Sequence, residues 1–373
     1  MRKKVHIALV GGQTMPIFLG IKEAIPDEIV LVHSATSLKE AERIRTFFPD
    51  NCRLIAFDPV NNETILASVR TLLQDYAESE ITINLSSGTK PWALIFALQT
   101  QPMDNVVLLY IDQNGICYDY THNKKWAAQG LNMKNLMLFN GQQAETHLSL
   151  ESYNEDDLEV MREVKAFRRY NYGEFNKLTI PDKSWKKVLT NKAKGSHETM
   201  NGSYIDWDKT ANCVSISLCK KREYKDKTLE SPHVFQIVFN SGWFEYEVAK
   251  MIGQWQYAQE VWLNVVYPYN NKLPKNEIDI IVNTGNKLLM IECKTQIFDN
   301  TDIDKFHTVV KNYGGMGCKA LFITEAIMTP QAKEKCADSS IMSFCLQEHQ
   351  NRVAAQKALF QQLNQELFNI NTK

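Results

Sequence analysis

Among the 373 residues there is no apolar run of the roughly 20 residues a membrane span requires. The nearest thing to a leader, Val5 to Val10 behind Arg2-Lys3-Lys4, is short and stops at Gly11-Gly12, so it reads as a first strand. Net charge is also missing: 42 basic residues against 43 acidic ones leave −1, with no global field to coat nucleic acid nonspecifically. A locally basic cleft remains compatible with that balance. The eight cysteines form no C-x-x-C and no zinc spacing, which excludes a disulfide framework and reads as reduced thiols in a cytoplasmic protein. Neither glycine-bearing loop of the first half is a Walker A motif, and the first of them lacks G-x-G-x-x-G. What is present, 44% hydrophobic and 23% charged residues, describes a soluble globular chain long enough for two or three domains.

The chain is organised around Glu277-Ile278-Asp279-Ile280-Ile281-Val282 and Leu288-Leu289-Met290-Ile291-Glu292-Cys293-Lys294. Each half alternates polar with apolar, the mark of a half-buried strand, and Asn283-Thr284-Gly285-Asn286 between them has hairpin-turn chemistry. If the turn pairs Asn283 with Asn286, Asp279 falls opposite Met290, diagonal to Glu292. The period of two then aims Asp279, Glu292 and Lys294 to one face and Ile278, Ile280, Val282, Leu289, Ile291 and Cys293 to the other. Two carboxylates this close repel unless a cation lies between them, and a hard divalent ion with oxygen ligands fills that need. A lysine beside them can orient or deprotonate an attacking water and offset charge on a phosphate. The competing interpretation is a solvated sheet face with an ordinary Glu–Lys cross-strand pair. Asp279 and the strongly apolar reverse face weigh against it.

This pattern of Asp, hairpin and Glu-x-Lys resembles the PD-(D/E)XK nuclease superfamily, although no proline directly precedes Asp279 and only Pro274 lies near. The resemblance implies a metal-dependent endonuclease using Asp279, Glu292 and Lys294. It implies Mn²⁺ or Mg²⁺ at Asp279, Glu292 and Cys293. Gly242-Trp243-Phe244-Glu245 also fits the family's first helix, which makes Glu245 a further catalytic candidate.

Residues 1 to about 140 alternate apolar strands with helices, which predicts a parallel, doubly wound sheet covered on both faces. Ser37 with Glu40 is expected to cap the second helix as a capping box. Ligands in such folds sit beyond the carboxyl ends of the strands at the topological switch point. Two loops would line it: Gly11-Gly12-Gln13-Thr14 after the first strand and Ser86-Ser87-Gly88-Thr89-Lys90 after the fourth. Glycines permit close backbone approach, free helix N-termini favour phosphate, and Lys90 adds charge. Alone, each loop is an ordinary tight turn; together on one sheet edge they favour a nucleotide-like ligand.

These two loops resemble those of the CARF domain, the Rossmann-like sensor of cyclic oligoadenylates in CRISPR-linked effectors. Joined to a PD-(D/E)XK domain, the layout resembles the CRISPR ancillary nucleases of antiviral defence. The resemblance implies activation by cyclic oligoadenylate, cyclic tetra-adenylate in particular. It also implies a homodimer and cleavage of single-stranded RNA or DNA. The expected organisation is a sensor at 1–140, a connecting segment with basic clusters at 141–235, and a nuclease domain at 236–373. Alternatives are a ligand-gated nucleic-acid-binding regulator with an inactive nuclease fold, or a restriction-type DNA endonuclease that needs no ligand.

In the connecting segment, Ser149 to Asp157 reads as a linker and Glu155 to Tyr170 as an amphipathic helix. Lys183, Lys186, Lys187, Lys192 and Lys194 form one basic cluster, and Lys220, Lys221, Arg222, Lys225 and Lys227 another. With Trp185, Trp207 and Tyr224 near them, they offer a stacking and steering surface for a single strand, or simply a solvated one. Lys305 and His307 on a later helix are candidates to face substrate, with an ordinary structural role as the alternative. The last helix is expected to pack through Val353, Leu359, Leu363 and Leu367, with a dimer contact as one place for it.

Overall fold

The computed structural model describes residues 2–180, 185–268, 277–296, 301–315 and 317–370. Pro274 and Lys183 lie outside these, as do the side chains of Lys186 and Lys187. The chain divides into two compact units, Met1–Gln142 with Asn283–Lys287, and Gln143–Val282 with Leu288–Lys373. Among the described residues no helix is long and apolar enough to cross a membrane.

The first unit runs β1 (Lys4–Leu9), α1 (Met15–Ala24), β2 (Glu28–His33), α2 (Leu38–Arg45), β3 (Cys52–Ala56), α3 (Asn62–Asp75), β4 (Glu80–Asn84), α4 (Lys90–Thr100) and β5 (Val106–Ile111). A hairpin of β6 (Ile116–Asp119) and β7 (Lys124–Ala127) and then α5 (Met133–Phe139) complete it. The seven-stranded sheet has the order β3-β2-β1-β4-β5-β6-β7. The first five strands pair in parallel, and β6 and β7 add an antiparallel edge. Continuous apolar strands are what a doubly covered sheet requires: Ile7, Leu9, Val30, Val32, Ile81 and Ile83 are all fully or almost fully buried. Each such side chain stabilises the fold by about 1.5–3 kcal/mol relative to exposure. The expected Ser37–Glu40 capping box does not form. A short 3₁₀ turn, Ala35–Ser37, precedes α2, and the Ser34 backbone N–H donates to Ser37 Oγ at 3.0 Å, so the box lies one turn earlier.

The second unit holds β8 (Thr146–Leu148), α6 (Glu155–Thr179), α7 (Trp185–Asn191) and the strands β9 (Lys194–Glu198), β10 (Tyr204–Asp208), β11 (Cys213–Lys220) and β12 (Glu223–Glu230). It continues with α8 (Val234–Phe239), α9 (Gly242–Ile252), β13 (Glu260–Val266), β14 (Glu277–Asn283) and β15 (Leu288–Lys294). Last come α10 (Thr301–Tyr313), β16 (Lys319–Thr324), α11 (Pro330–Asp338), β17 (Ile341–Cys345) and α12 (Arg352–Phe368). Its six-stranded sheet has the order β17-β16-β15-β14-β13-β8, with β15, β16 and β17 parallel.

Residues 143–235 are built into this unit rather than spanning it loosely. Asn154 caps α6 in a box with Asp157, so the stretch read as a linker ends in a helix start. Strands β9 to β12 form an antiparallel meander whose inward residues Ile205, Trp207, Val214, Ile216 and Leu218 join the core under α6. Trp185 and Trp207 meet edge to face at 5.4 Å; Trp207 is shut inside that core, whereas Trp185 also lines a cavity with Glu245 and Asp279. Three members of the basic clusters are paired with carboxylates: Lys194 with Asp208 at 2.7 Å, and Lys225 and Lys227 with Glu163 at 3.1 and 3.8 Å. In α12 the buried stripe is Ala355, Leu359, Leu363 and Leu367, at strict spacings of four, and Val353 falls on the exposed side.

Candidate functional site

The hairpin β14–β15 runs through the middle of its sheet, with β13 on one side and β16 on the other. Neither strand is therefore an edge strand, and their residues are buried on both faces rather than half-buried. The turn closes with Thr284 N donating to Lys287 O at 3.0 Å, and Gly285 takes its tip at φ 96°. That pair sits one residue further along each strand than Asn283 with Asn286. Counting back from it places Asp279 opposite Glu292. Because the sum of paired numbers changes by two, every side chain keeps its face, and the expected grouping of Asp279, Glu292 and Lys294 survives the change.

Lys294 Nζ stands among three oxygens: Glu292 Oε1 at 2.6 Å, the Cys293 carbonyl at 3.2 Å and Asp279 Oδ2 at 3.7 Å. Asp279 Oδ2 also accepts the Cys293 backbone N–H at 2.8 Å, tying the two strands together at the site. Glu245, from the first turn of α9, is buried, and its Oε2 accepts from Asn264 Nδ2 at 2.8 Å. Asn264 interrupts the apolar run of β13 in a left-handed conformation, φ 47°, beside a register shift between Leu263 and Val266. Its Oδ1 accepts from Tyr153 Oη at 3.3 Å, which fixes the amide toward Glu245. An Asn inside Val261–Val266 was the available sequence signal for this positioning residue, and residue patterning around the hairpin alone passes over it. Glu245, Asp279, Lys294, Asn264 and Glu277 line one cavity of about 370 Å³.

Burial raises the Glu245 carboxyl well above its usual range, and the charge of Asp279 adds to this. Burial alone would lower the Lys294 pKa, but Asp279 and Glu292 outweigh it and hold the ammonium above its ordinary range. Lys294 is thus a hydrogen-bond donor and a positive charge; of the two roles expected of it, orienting water fits this state and deprotonating water is disfavoured. The Cys293 thiol packs in the apolar core and is raised well above its normal value by burial, which disfavours the sulfur as a ligand. Its carbonyl, in contrast, faces the site.

Among the described residues no three His, Cys, Asp or Glu side chains group as a ready metal cage. The donors present nevertheless suit a hard cation. Two carboxylates and a carbonyl converge on one cationic point, and Mg²⁺-type ions use one or two carboxylates and keep several waters. Lys305 pairs with Asp302 at 3.5 Å, and His307 Nδ1 contacts the Ser339 carbonyl at 3.1 Å. Both therefore have structural partners.

In the first unit the topological switch point falls between β1 and β4, and the two loops meet there. Gly11 N donates to Ser87 Oγ at 3.1 Å. A Cβ on Gly11 would meet Gly88 N at 2.7 Å, so this approach needs glycine. Gly88 has φ 79°, and Thr89 caps α4 by accepting from Trp92 N. Ser86 Oγ is committed to the scaffold, donating to Asn84 Oδ1 and accepting from Ile111 N at 2.7 Å. Thr14 is also buried, its hydroxyl accepting from Arg43 at 3.2 Å. Gly12, Gln13 and Lys90 are exposed at the loop tips, Lys90 at the first position of α4.

Fold and site together give a Rossmann-like, doubly wound unit followed by an α/β unit bearing a carboxylate–lysine site. Residues 235–340, which include Glu245, Asp279, Glu292 and Lys294, match the family described as Card1-like, endonuclease domain. Can2 from Sulfobacillus thermosulfidooxidans, solved in complex with cyclic tetra-adenylate, is similar with a TM-score of 0.64 and 17% identity, over 98% of this chain and 99% of that one. Protein VC1899 from Vibrio cholerae is similar with a TM-score of 0.68 and 15% identity, over 98% of both chains. A type III CRISPR defence DNA nuclease activated by cyclic oligoadenylate matches with a TM-score of 0.52 and 14% identity, over 93% of this chain but 48% of that one. At these identities the similarity is one of fold. No curated protein sequence matches the chain.

Proposed function

We propose that this chain is a metal-dependent endonuclease for single-stranded RNA or DNA, switched on by cyclic oligoadenylate, cyclic tetra-adenylate in particular, and acting as a homodimer in CRISPR antiviral defence. The observation that carries the reading is the oxygen cage around Lys294 Nζ with the buried Glu245 in the same cavity. Asp279, Glu292 and the Cys293 carbonyl would hold Mn²⁺ or Mg²⁺. A hard divalent cation there supplies positive charge for phosphate and lowers the pKa of water. Lys294 donates hydrogen bonds from Nζ and offsets charge gathering on the phosphate oxygens. Glu245, oriented by Asn264, holds a proton or a water at Oε. In the sensor, the N-terminus of α4 with Lys90, Ser87 and Gly88, and the Gly11–Thr14 loop, present donors to a phosphodiester ring.

The test is cleavage of labelled single-stranded RNA and DNA with Mn²⁺ or Mg²⁺, with and without cyclic tetra-adenylate. Cleavage should require both metal and ligand, stop with EDTA, and vanish in Glu292→Gln and Asp279→Asn. Ligand-independent cleavage would instead favour a restriction-type enzyme. No cleavage under any condition would favour a regulator that only binds nucleic acid.

A further inference from the structure

Next to the active-site cavity the second unit holds another of about 550 Å³, and both are bordered by Thr295 and Gln296, the residues directly after Lys294. One wall is a stripe of α6. Lys165, Arg168 and Arg169 recur at i, i+3 and i+4, so they share one helix face, away from the core positions Val164 and Phe167, and Tyr172, just past the kink at Asn171, lines the same cavity. Trp243 and Arg352 line it as well. The Arg168 guanidinium lies between two rings, 4.8 Å from the centroid of Tyr172 and 4.6 Å from that of Trp243, and pairs with Glu325. Lys165 and Arg352 both pair with Glu247, at 2.5 and 2.6 Å. Arg169 is exposed and has no acidic partner among the described residues. Four cations thus face two carboxylates, and the surplus is positive. Tyr172 Oη donates to Gln296 Oε1 at 3.4 Å, which links the stripe to the end of the catalytic strand. That strand end is held in turn by Ala326 N donating to Thr295 O at 3.0 Å.

We propose that this cavity is the subsite for the nucleotides flanking the scissile phosphate on a single strand. The proposal rests on the nuclease reading of the adjoining site. Single-strand grooves combine cations that follow the phosphates with aromatic rings on which bases stack. A guanidinium fixed between two rings is already ordered, so little rotamer freedom is lost when it takes a phosphate. Thr295 and Gln296, directly beyond Lys294, border both cavities, so a strand cut in one can continue into the other. Charge surplus here also explains how a chain of net charge −1 can still hold a polyanion: the positive field is local.

The experiment measures binding of labelled single-stranded RNA and DNA oligonucleotides, as two arms, to the full chain carrying Glu292→Gln, so that no substrate is consumed. Arg169→Ala and Tyr172→Ala are added singly. Both residues are exposed, and matching melting curves establish that the fold is intact. Tyr172→Ala should weaken binding by about 5- to 150-fold, the range for one base stacked on one ring. Arg169→Ala should weaken it and make the slope of log affinity against log salt shallower by about 0.7, one phosphate contact on a single strand. The arm that shows both losses identifies the sugar the subsite accepts. Parental affinity and slope in both variants, in both arms, would overturn the subsite whatever the parent cleaves. Loss of binding in the Arg169→Ala and Tyr172→Ala variants, when the unsubstituted chain cleaves nothing with metal and ligand, would leave the subsite standing and sink the nuclease reading alone.

Discussion

Lys294 shows how one residue's role follows from its surroundings. A lysine on an exposed strand face would be a mobile solvated charge. Here three oxygens fix Nζ, and the carboxylates keep it protonated. Its contribution to chemistry is therefore electrostatic and positional, and removing it should cut the rate of cleavage by about 10²–10⁴-fold. In Lys294→Ala, affinity for cyclic tetra-adenylate and for single-stranded substrate should stay near parental, while the saturated single-turnover rate collapses. Full cleavage at saturation would remove Lys294 from the mechanism. The trio Asp279, Glu292 and Lys294 was legible because a strand's period of two places side chains without any knowledge of the sheet. Asn264 was less so, since a left-handed residue in a bulged strand obeys no period.

At the scale of the element, α6 is two helices in one. Asn171 leaves helical geometry, at φ −153° and ψ 88°, and its side chain accepts from Glu174 N while donating to the Cys219 carbonyl. An Asn that caps the helix following it, and reaches across to a strand, is a kink with an identifiable cause. Glu174 then serves the β9–β10 turn: it accepts from Thr199 at 2.7 Å, Asn201 at 2.8 Å and Ser203 at 3.1 Å, and pairs with Lys177. Burial alone would raise its pKa, but these partners prevail and hold it at about 2. The sign follows from linkage. A folded pKa below the unfolded value of about 4.3 gives stability that is present above that value and is lost as pH falls toward 2. The difference is worth about 3 kcal/mol at most. Chemical denaturation from pH 7 to pH 2.5 should therefore show Glu174→Gln less stable than the parent at pH 7, with the gap closing in acid. A gap that persists unchanged at pH 2.5 would mean the loss is one of shape, not charge. None of this was visible from composition, because the charged residues around Tyr204-Ile-Asp-Trp-Asp and Val214-Ser-Ile-Ser-Leu mask their alternation. Those residues belong to an exposed sheet face, whose paired lysines look in sequence like a nucleic-acid patch. By contrast, the parallel strands of the first unit declare themselves as continuous apolar runs, although the polar edge hairpin β6–β7 does not.

For the whole molecule, the decisive feature is where the chain changes unit. The strands carrying Asp279 and Glu292 belong to the second unit, yet the turn between them, Asn283–Lys287, belongs to the first. There Asn283, fully buried, donates from Nδ2 to the Leu131 carbonyl at 2.6 Å and accepts the Gly285 N–H at 2.7 Å. The Leu131 N–H returns a bond to the Gly285 carbonyl at 2.7 Å, and Lys287 Nζ reaches Asn114 Oδ1 at 3.2 Å. Under the proposed function, any rearrangement of the first unit that shifts Leu131 or Asn114 would act through covalent bonds on the strands that carry Asp279 and Glu292. A ligand alters activity only through its differential affinity for two arrangements, and a coupling element is what makes those arrangements differ at the distant site. Two substitutions separate ligand capture from transmission. Lys90→Ala should raise the cyclic tetra-adenylate concentration for half-activation about tenfold, through one lost charge-assisted contact, and leave the activated-to-basal ratio at saturation unchanged. Asn283→Ala should do the opposite, lowering that ratio at saturation. It leaves the Leu131 carbonyl and the Gly285 N–H short of a partner, and costs about 1–3 kcal/mol in denaturant unfolding. Basal and activated rates are read from a full ligand titration of each protein at one substrate concentration. If Asn283→Ala reaches the parental ratio, the turn is a structural tie and the switch runs through another part of the chain.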